Sequence, residues 1–366
     1  MKMSKWDKAN ISTSKLGFGA MRFPKKENGD IDQTEVNEMI KYAMEHGINY
    51  YDTAYVYGDG ASEIALGKAL KPYERSSYFL TDKMPFFNPK GDNYLEEIFN
   101  ESLRRLDTDY IDMYLMHALN KGYVEKMKQY KAIEWAIQKK KEGKIKYLGF
   151  SIHDDWETLV DVLSLYDWDF VQIQYNYMDQ NDAPGQKGYE ELVKRNIPII
   201  IMEPLKGGIL ADIHPSLTKP FQNLGGSNPS FGFRWLAEQK GIATILSGMT
   251  HMNQLVQNVE IFEDIAPLSE EEHKAIDEVR ENILKSKKIQ CTGCEYCMPC
   301  PQGVNIPELF RSWNLHALRS GDNWISGGDV DFNNAELCIG CGLCAKKCPQ
   351  HFDIPAKIKQ LISEKK

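Results

Sequence analysis

The stretch I-N-Y-Y-D-T-A-Y-V-Y-G, residues 48–58, joins a short β-prone run to a turn. The run ends on a carboxylate, Asp52, and a loop of small and aromatic residues carries the chain to Gly58. A strand that closes on a polar residue and hands over to a loop is one unit of a strand-helix repeat. The unit recurs on either side. Further β-like runs lie at 16–19, 78–83, 111–117, 145–151, 169–175, 198–203 and 242–247. Helical periodicity separates them. In 33–46, Val36, Met39, Ile40, Ala43 and Met44 recur at one-turn spacing, and in 127–142 Tyr130, Ile133, Ala136 and Ile137 do so among lysines.

Eight such units in about 250 residues predict a closed parallel barrel, (β/α)8, of the TIM type. The alternative is an open doubly wound sheet. That fold announces itself by a G-x-G-x-x-G turn after the first strand, and none follows 16–19. A polar helix is expected over 269–288, where Ser269 followed by Glu270, Glu271 and Glu272 forms a capping signal.

The chain has 366 residues, 42% apolar and 26% charged, with net charge -8, the balance of a globular protein. Nothing in that charge calls for nucleic acid or an anionic membrane as partner. The polar start lacks the apolar core of a secretory signal, and the run 197–202 is too short to span a bilayer. A cytoplasmic protein is expected. Its 8 cysteines all fall within 291–348, and in a reducing compartment clustered thiols mean metal or redox chemistry. Residues 1–286 are therefore read as the barrel domain and 287–366 as a separate cysteine domain.

Barrel enzymes do their chemistry at the carboxyl ends of the strands. Asp52, Lys83 and His117 close the second, third and fourth runs, and Tyr57 follows Asp52 in the loop. Reduction of a carbonyl needs a hydride, which no side chain supplies, and a proton from a positioned acid. A phenol is a poor donor near neutrality unless a cation lowers its pKa; Lys83 is that cation, held by Asp52. His117 would hydrogen-bond the carbonyl oxygen. Tyr57 would be the donor, with Tyr55 the other tyrosine of the loop.

The order D-T-A-Y-V-Y-G, T-D-K, R-R-L-D-T-D-Y-I-D and Y-L-M-H over roughly 11–265 resembles the aldo-keto reductase superfamily. The resemblance implies a nicotinamide cofactor and a small carbonyl or alcohol substrate. It places Ser151 and Gln172 on the carboxamide, although the family's Ser-Asn pair is here Ser151-Ile152, so that one contact is either lost or passes to His153. Met202 stands where a tyrosine often stacks on the nicotinamide, and the loop P-L-K-G-G with Leu205 and Gly207 would cover the pyrophosphate. Counting from Asn258, the places of the 2′-phosphate ligands hold Gly248, Met249 and Gln254, none of them cationic. A preference for NADP over NAD does not carry over. Arg22, after the first run, is a cation at the pocket mouth that would meet a carboxylate or phosphate.

The cysteines form two runs. Cys291, Cys294, Cys297 and Cys300 read C-x2-C-x2-C-x2-C-P, and Cys338, Cys341, Cys344 and Cys348 read C-x2-C-x2-C-x3-C-P. The second matches the bacterial ferredoxin pattern, in which three cysteines hold one [4Fe-4S] cluster and the fourth reaches the other. Two clusters are expected, against an alternative of two zinc ions. That pattern sorts Cys291, Cys294 and Cys297 with Cys348, and Cys338, Cys341 and Cys344 with Cys300. The shorter last step of the first run leaves Cys300 open between the clusters. A helix over 307–319 marks the tail as a helical ferredoxin type. Clusters move single electrons and hydride carries two; a flavin would bridge the gap, and no motif points to one. The leading expectation is an NAD(P)-dependent reductase whose clusters serve a redox partner protein or structure; the alternative is an electron-transfer or redox-sensing module that binds nucleotide with little turnover.

Overall fold

The computed structural model describes residues 1–7, 9–181, 184–291, 293–320 and 334–364. An antiparallel hairpin, β1 (Met3–Trp6) and β2 (Ile11–Ser14), opens the chain. Eight strands follow: β3 (Leu16–Gly19), β4 (Tyr50–Asp52), β5 (Phe79–Met84), β6 (Ile111–Leu119), β7 (Ile145–Ile152), β8 (Phe170–Gln174), β9 (Ile199–Met202) and β10 (Ile242–Gly248). They close a parallel barrel in the order β10-β3-β4-β5-β6-β7-β8-β9. All eight expected strands are there, displaced at their ends by a residue or two.

The strands are buried on both faces, which is why they read as apolar runs rather than alternating ones. The hairpin was not legible, because two four-residue runs carry too little pattern. Its Trp6 is 1% exposed and packs with Tyr50, Met113, Leu115, Phe170, Ile200, Ala243 and Leu246, plugging the amino-terminal end of the barrel. The indole N–H donates to Thr13 Oγ1 at 2.9 Å, so the plug leaves no polar cost behind.

The helix expected over 127–142 is two helices, Lys121–Gln129 and Ala132–Lys141. Lys131 between them has φ of 51°, a left-handed conformation that ends one helix and starts the next. The expected capping signal forms: Ser269 Oγ accepts from the Glu272 amide at 3.2 Å, and Glu272 accepts from the Ser269 amide at 2.8 Å, starting the helix Glu270–Ser286.

Two compact units divide the chain, Met1–Gly207 with Gly232–Leu268, and Gly208–Phe231 with Ser269–Lys366. They part elsewhere than at 286/287, because the helix Glu270–Ser286 packs with Lys219–Asn223 and with the helix Ile306–Ser320. The core of the second unit gathers Ile289, Val304, Phe310, Trp313, Ile354, Ile358 and Leu361 beneath the cysteines. Its described secondary structure is helical. No helix among the described residues is long and apolar enough to cross a membrane.

Candidate active site

Asp52 is the last residue of β4, Lys83 the penultimate residue of β5, and His117 lies near the end of β6, so parallel register brings all three to one end of the barrel. The Lys83 side chain is 0% exposed; its Nζ donates to Asp52 Oδ1 at 2.6 Å and to the Thr53 carbonyl at 2.5 Å. The same ammonium stands 4.9 Å from the centre of the Tyr57 ring. The Tyr57 and His117 rings meet edge to face, 5.9 Å apart at 77°.

The loop that carries Tyr57 is fixed from below. Arg105 pairs with the buried Glu63 at 2.7 Å, donates to the Tyr55 carbonyl at 3.3 Å and lies 4.4 Å from the Tyr55 ring centre. Tyr55 is thereby committed to Arg105, while Tyr57 faces Lys83 and His117. Gly60, with φ of 90°, is required here, since a Cβ on it would lie 2.4 Å from Arg105 Nη1.

Burial governs the charges. It raises the Tyr57 phenol above its ordinary value; Lys83 pulls the other way without overcoming it, so the expected lowering by the lysine is outweighed. Burial pulls Lys83 down, but Asp52 and Tyr57 hold it up and leave it charged. His117 is pushed well below its ordinary range by burial, then by Lys83 and His153, and is neutral. Its Nδ1 is buried without a hydrogen-bond partner among the described residues.

Ser151 and Gln172 are direct register partners on β7 and β8. Ser151 Oγ accepts from the Ala118 amide at 2.7 Å, which leaves its own proton to give. Gln172 Oε1 is buried with no partner among the described residues, and Nε2 reaches only the Met202 sulfur, at 3.6 Å. An unpaired acceptor beside a free hydroxyl donor fits a carboxamide, which needs one of each. Asn258 is buried and donates to Ser247 Oγ at 3.0 Å at the end of β10. Gln254 is occupied in accepting the Thr250 and His251 amides at 2.8 and 3.2 Å. Leu205 packs where Gly232 lacks a side chain, and Gly207 and Gly248 are exposed at the strand ends.

In the second unit the cysteines ring two hollows. Cys291, Cys294, Cys297 and Cys348 line one of about 350 Å³, with Phe310 and Phe352. Cys300, Cys338, Cys341 and Cys344 line another of about 290 Å³, with Val304 and Ile358. Among the described residues no three potential ligands converge tightly enough for a single ion. Four sulfurs spread around a hollow suit a cluster better than zinc.

Residues 15–281 match the model of the aldo/keto reductase family. The chain belongs to the aldo/keto reductase family. A second match, over 290–353, is to the 4Fe-4S dicluster domain. Among curated relatives, "Probable aldo-keto reductase 1" of Glycine max is 27% identical over 260 residues, covering 67% of this chain and 71% of its own. "NADH-specific methylglyoxal reductase" of Escherichia coli (strain K12) is 27% identical over 298 residues, covering 68% and 90%. Among solved structures, the holo form of aldo-keto reductase AKR11C1 from Bacillus halodurans superposes with TM-score 0.64 at 25% identity, covering 76% of this chain and 96% of that one. This aldo/keto reductase is an NAD(P)-dependent oxidoreductase joined to an iron-sulfur domain.

Several neighbours of the site in this reductase were not singled out in the sequence. Phe87 meets the rings of His117 and Tyr123 at 5.6 and 5.3 Å and is 42% exposed, making an aromatic wall. The doublet in M-P-F-F after Lys83 was its signal. The Thr53 carbonyl as second acceptor for Lys83 had none, since backbone partners leave no mark on side-chain identity.

Proposed function

We propose that the barrel interconverts a small carbonyl compound and its alcohol, with Tyr57 as proton donor in reduction. The observation that carries this is the charged, fully buried Lys83 held between Asp52 at 2.6 Å and the Tyr57 ring at 4.9 Å, with His117 against the same tyrosine. A bound nicotinamide supplies the hydride. Ser151 and Gln172 would hold its carboxamide, and Met202, Leu205, Gly207, Gly248, Gln254 and Asn258 belong to the surrounding cofactor rim. Tyr57 keeps its proton at neutral pH because burial raises it, and gives that proton to the carbonyl oxygen. Charge left on the phenolate is met by Lys83, which Asp52 keeps in place. Neutral His117 donates an N–H to the same carbonyl oxygen and orients it. Phe87 and Tyr123 keep water from one side and favour a substrate with an apolar or aromatic flank.

In the cofactor choice, NADH is the reading we favour: Gly248 and Gln254 offer a 2′-phosphate no cation, and the Escherichia coli relative is NADH-specific by name. In the tail, residues 287–366 would hold two [4Fe-4S] clusters. One would take Cys291, Cys294, Cys297 and Cys348, the other Cys300, Cys338, Cys341 and Cys344, a sorting that the lining of the two hollows supports. These clusters would exchange single electrons with a partner protein. Eight unpaired cysteines suit a reducing compartment, and we place the protein in the cytoplasm.

Purified anaerobically and given NADH with a panel of small aldehydes and ketones, methylglyoxal and aromatic aldehydes included, the protein oxidises NADH only when a carbonyl is present. Cofactor binding without turnover of any carbonyl or alcohol would leave a nucleotide-binding redox module in place of this reading.

A further inference from the structure

Behind the barrel wall lies a group of buried acids and hydroxyls that the reaction, as described, leaves unused. Side chains alternate along a strand, so Lys83 turns toward the site and Asp82, its neighbour on β5, turns outward to the helices. Glu63 comes from the helix Ala61–Leu70, Ser102 and Arg105 come from the helix Tyr94–Leu106, and Tyr114 is the register partner of Asp82 on β6. Asp82, Glu63, Ser102 and Tyr114 are each 0% exposed. Both carboxyl oxygens of Asp82, Glu63 Oε1 and the two hydroxyls have no hydrogen-bond partner among the described residues.

The cation that serves this group is already in demand. Arg105 donates to Glu63 Oε2 at 2.7 Å, and it also serves Glu101 at 2.8 Å and the Tyr55 carbonyl at 3.3 Å. Lys83, across the strand, is committed to Asp52 and the Thr53 carbonyl. An ionised Asp82 would be a second buried negative charge beside Glu63 without a counter-ion of its own, a costly arrangement. Burial first, then the Glu63 carboxylate, hold the Asp82 carboxyl well above the usual carboxylate range. A proton on Asp82 turns an acceptor into a donor, and Glu63 Oε1 is an acceptor in want of one.

We propose that Asp82 and Glu63 form an acid pair holding one shared proton, and that this pair positions the loop carrying Tyr57. Protonated Asp82 donates to Glu63 Oε1, which leaves Glu63 its charge for Arg105. Arg105 in turn holds Tyr55 by its carbonyl and its ring, and Tyr57 follows in the same loop. The other titratable groups turned to the pair are Tyr114 from β6 and, beside it, Tyr94 from the helix Tyr94–Leu106. The positioning role rests on the reading of Tyr57 as proton donor; the shared proton does not.

The test uses anaerobically purified holoprotein. It compares wild type with Asp82→Asn, which keeps a donor for Glu63 but no titratable proton, and with Asp82→Leu, which keeps neither. Wild type at neutral pH shows the infrared C=O stretch of a buried protonated carboxyl, and Asp82→Asn lacks it. Folding raises the Asp82 pKa, so wild-type stability relative to Asp82→Asn is greatest below the ordinary carboxylate range and falls as the pH climbs toward the folded-state value. In urea melts across pH the unfolding constant of wild type grows against that of Asp82→Asn by up to about tenfold per pH unit. Asp82→Asn reduces carbonyls as wild type does at neutral pH, whereas in Asp82→Leu kcat falls by about 10- to 100-fold with NADH affinity kept. Glu63→Gln, which loses the charge that holds Arg105, is the second variant and shows the same fall. A spectrum without the band, or a stability difference that does not move with pH, overturns the shared proton. Wild-type kcat in Asp82→Leu or in Glu63→Gln overturns the positioning role. Wild type that reduces no carbonyl overturns the reading of Tyr57, while the spectra and melts still decide the proton.

Discussion

The Lys83 ammonium lies 4.9 Å from the centre of the Tyr57 ring and inside hydrogen-bond range of Asp52, with its side chain shut off from solvent. Removing that charge does two things. In Lys83→Met, Asp52 is left buried without its counter-ion, a change that costs about 3–5 kcal/mol when one partner of a buried pair goes. Carbonyl reduction should fall by roughly 10²-fold or more, because the phenolate formed at Tyr57 loses its cation. Urea melts and steady-state kinetics read the two effects separately. The double variant Lys83→Met with Asp52→Asn should regain part of the stability and none of the rate.

The pH dependence follows from Tyr57. Burial raises its pKa above 10.0 although Lys83 opposes the shift, and the donor is loaded at every pH below that value. Reduction should therefore hold a plateau through neutrality and decline only as the pH climbs through the tyrosine's own pKa. Alcohol oxidation, which needs the tyrosine to accept a proton, should rise over the same interval. His117 adds no step near neutrality, since burial keeps it uncharged down to well below its ordinary value. Profiles of kcat in both directions check this, and a reduction rate already halved near pH 7 contradicts it.

Much of this arrangement was legible in the sequence, for a physical reason. Asp52, Lys83 and His117 sit at strand ends, where apolar runs stop, so counting eight runs also located three candidate site residues. Tyr57 is preferred to Tyr55 because it stands directly before Gly58; what the sequence could not show is the loop's support, Arg105 under Tyr55 and Gly60, a tertiary contact across 50 residues. The hairpin under the barrel escaped notice because four-residue strands have too little periodicity. The break at Lys131 escaped it because a lysine carries no sign of a left-handed backbone. The spacing of Cys300 permits either cluster, and only the fold shows that it lines a hollow with Cys338, Cys341 and Cys344.

Trp6 tests the plug at the far end of the barrel. It is 1% exposed among strand residues from most of the way round the barrel. Trp6→Ala should cost about 3–5 kcal/mol. The KM for NADH should stay near wild type in the surviving folded fraction, since the plug lies at the amino ends of the strands. Loss of cofactor affinity equal to the loss of stability would show that the hairpin also shapes the site.

The cysteine assignment predicts an unequal result from two conservative changes. Cys300→Ser should disturb the cluster held with Cys338, Cys341 and Cys344 and spare the one held with Cys291, Cys294, Cys297 and Cys348. Cys348→Ser should do the reverse, although that residue belongs to the second run. Iron and sulfide counts with electron paramagnetic resonance of the reduced protein separate these outcomes. Loss of the cluster of its own run in each variant would mean that the runs do not interleave.

The most direct test of the central claim is Tyr57→Phe, assayed for NADH-dependent carbonyl reduction at neutral pH beside NADH binding. Phenylalanine keeps the ring against His117 and removes only the proton donor. The account predicts a fall in kcat of roughly 10²- to 10⁴-fold with the NADH dissociation constant within about twofold of wild type. Turnover undiminished in Tyr57→Phe contradicts it.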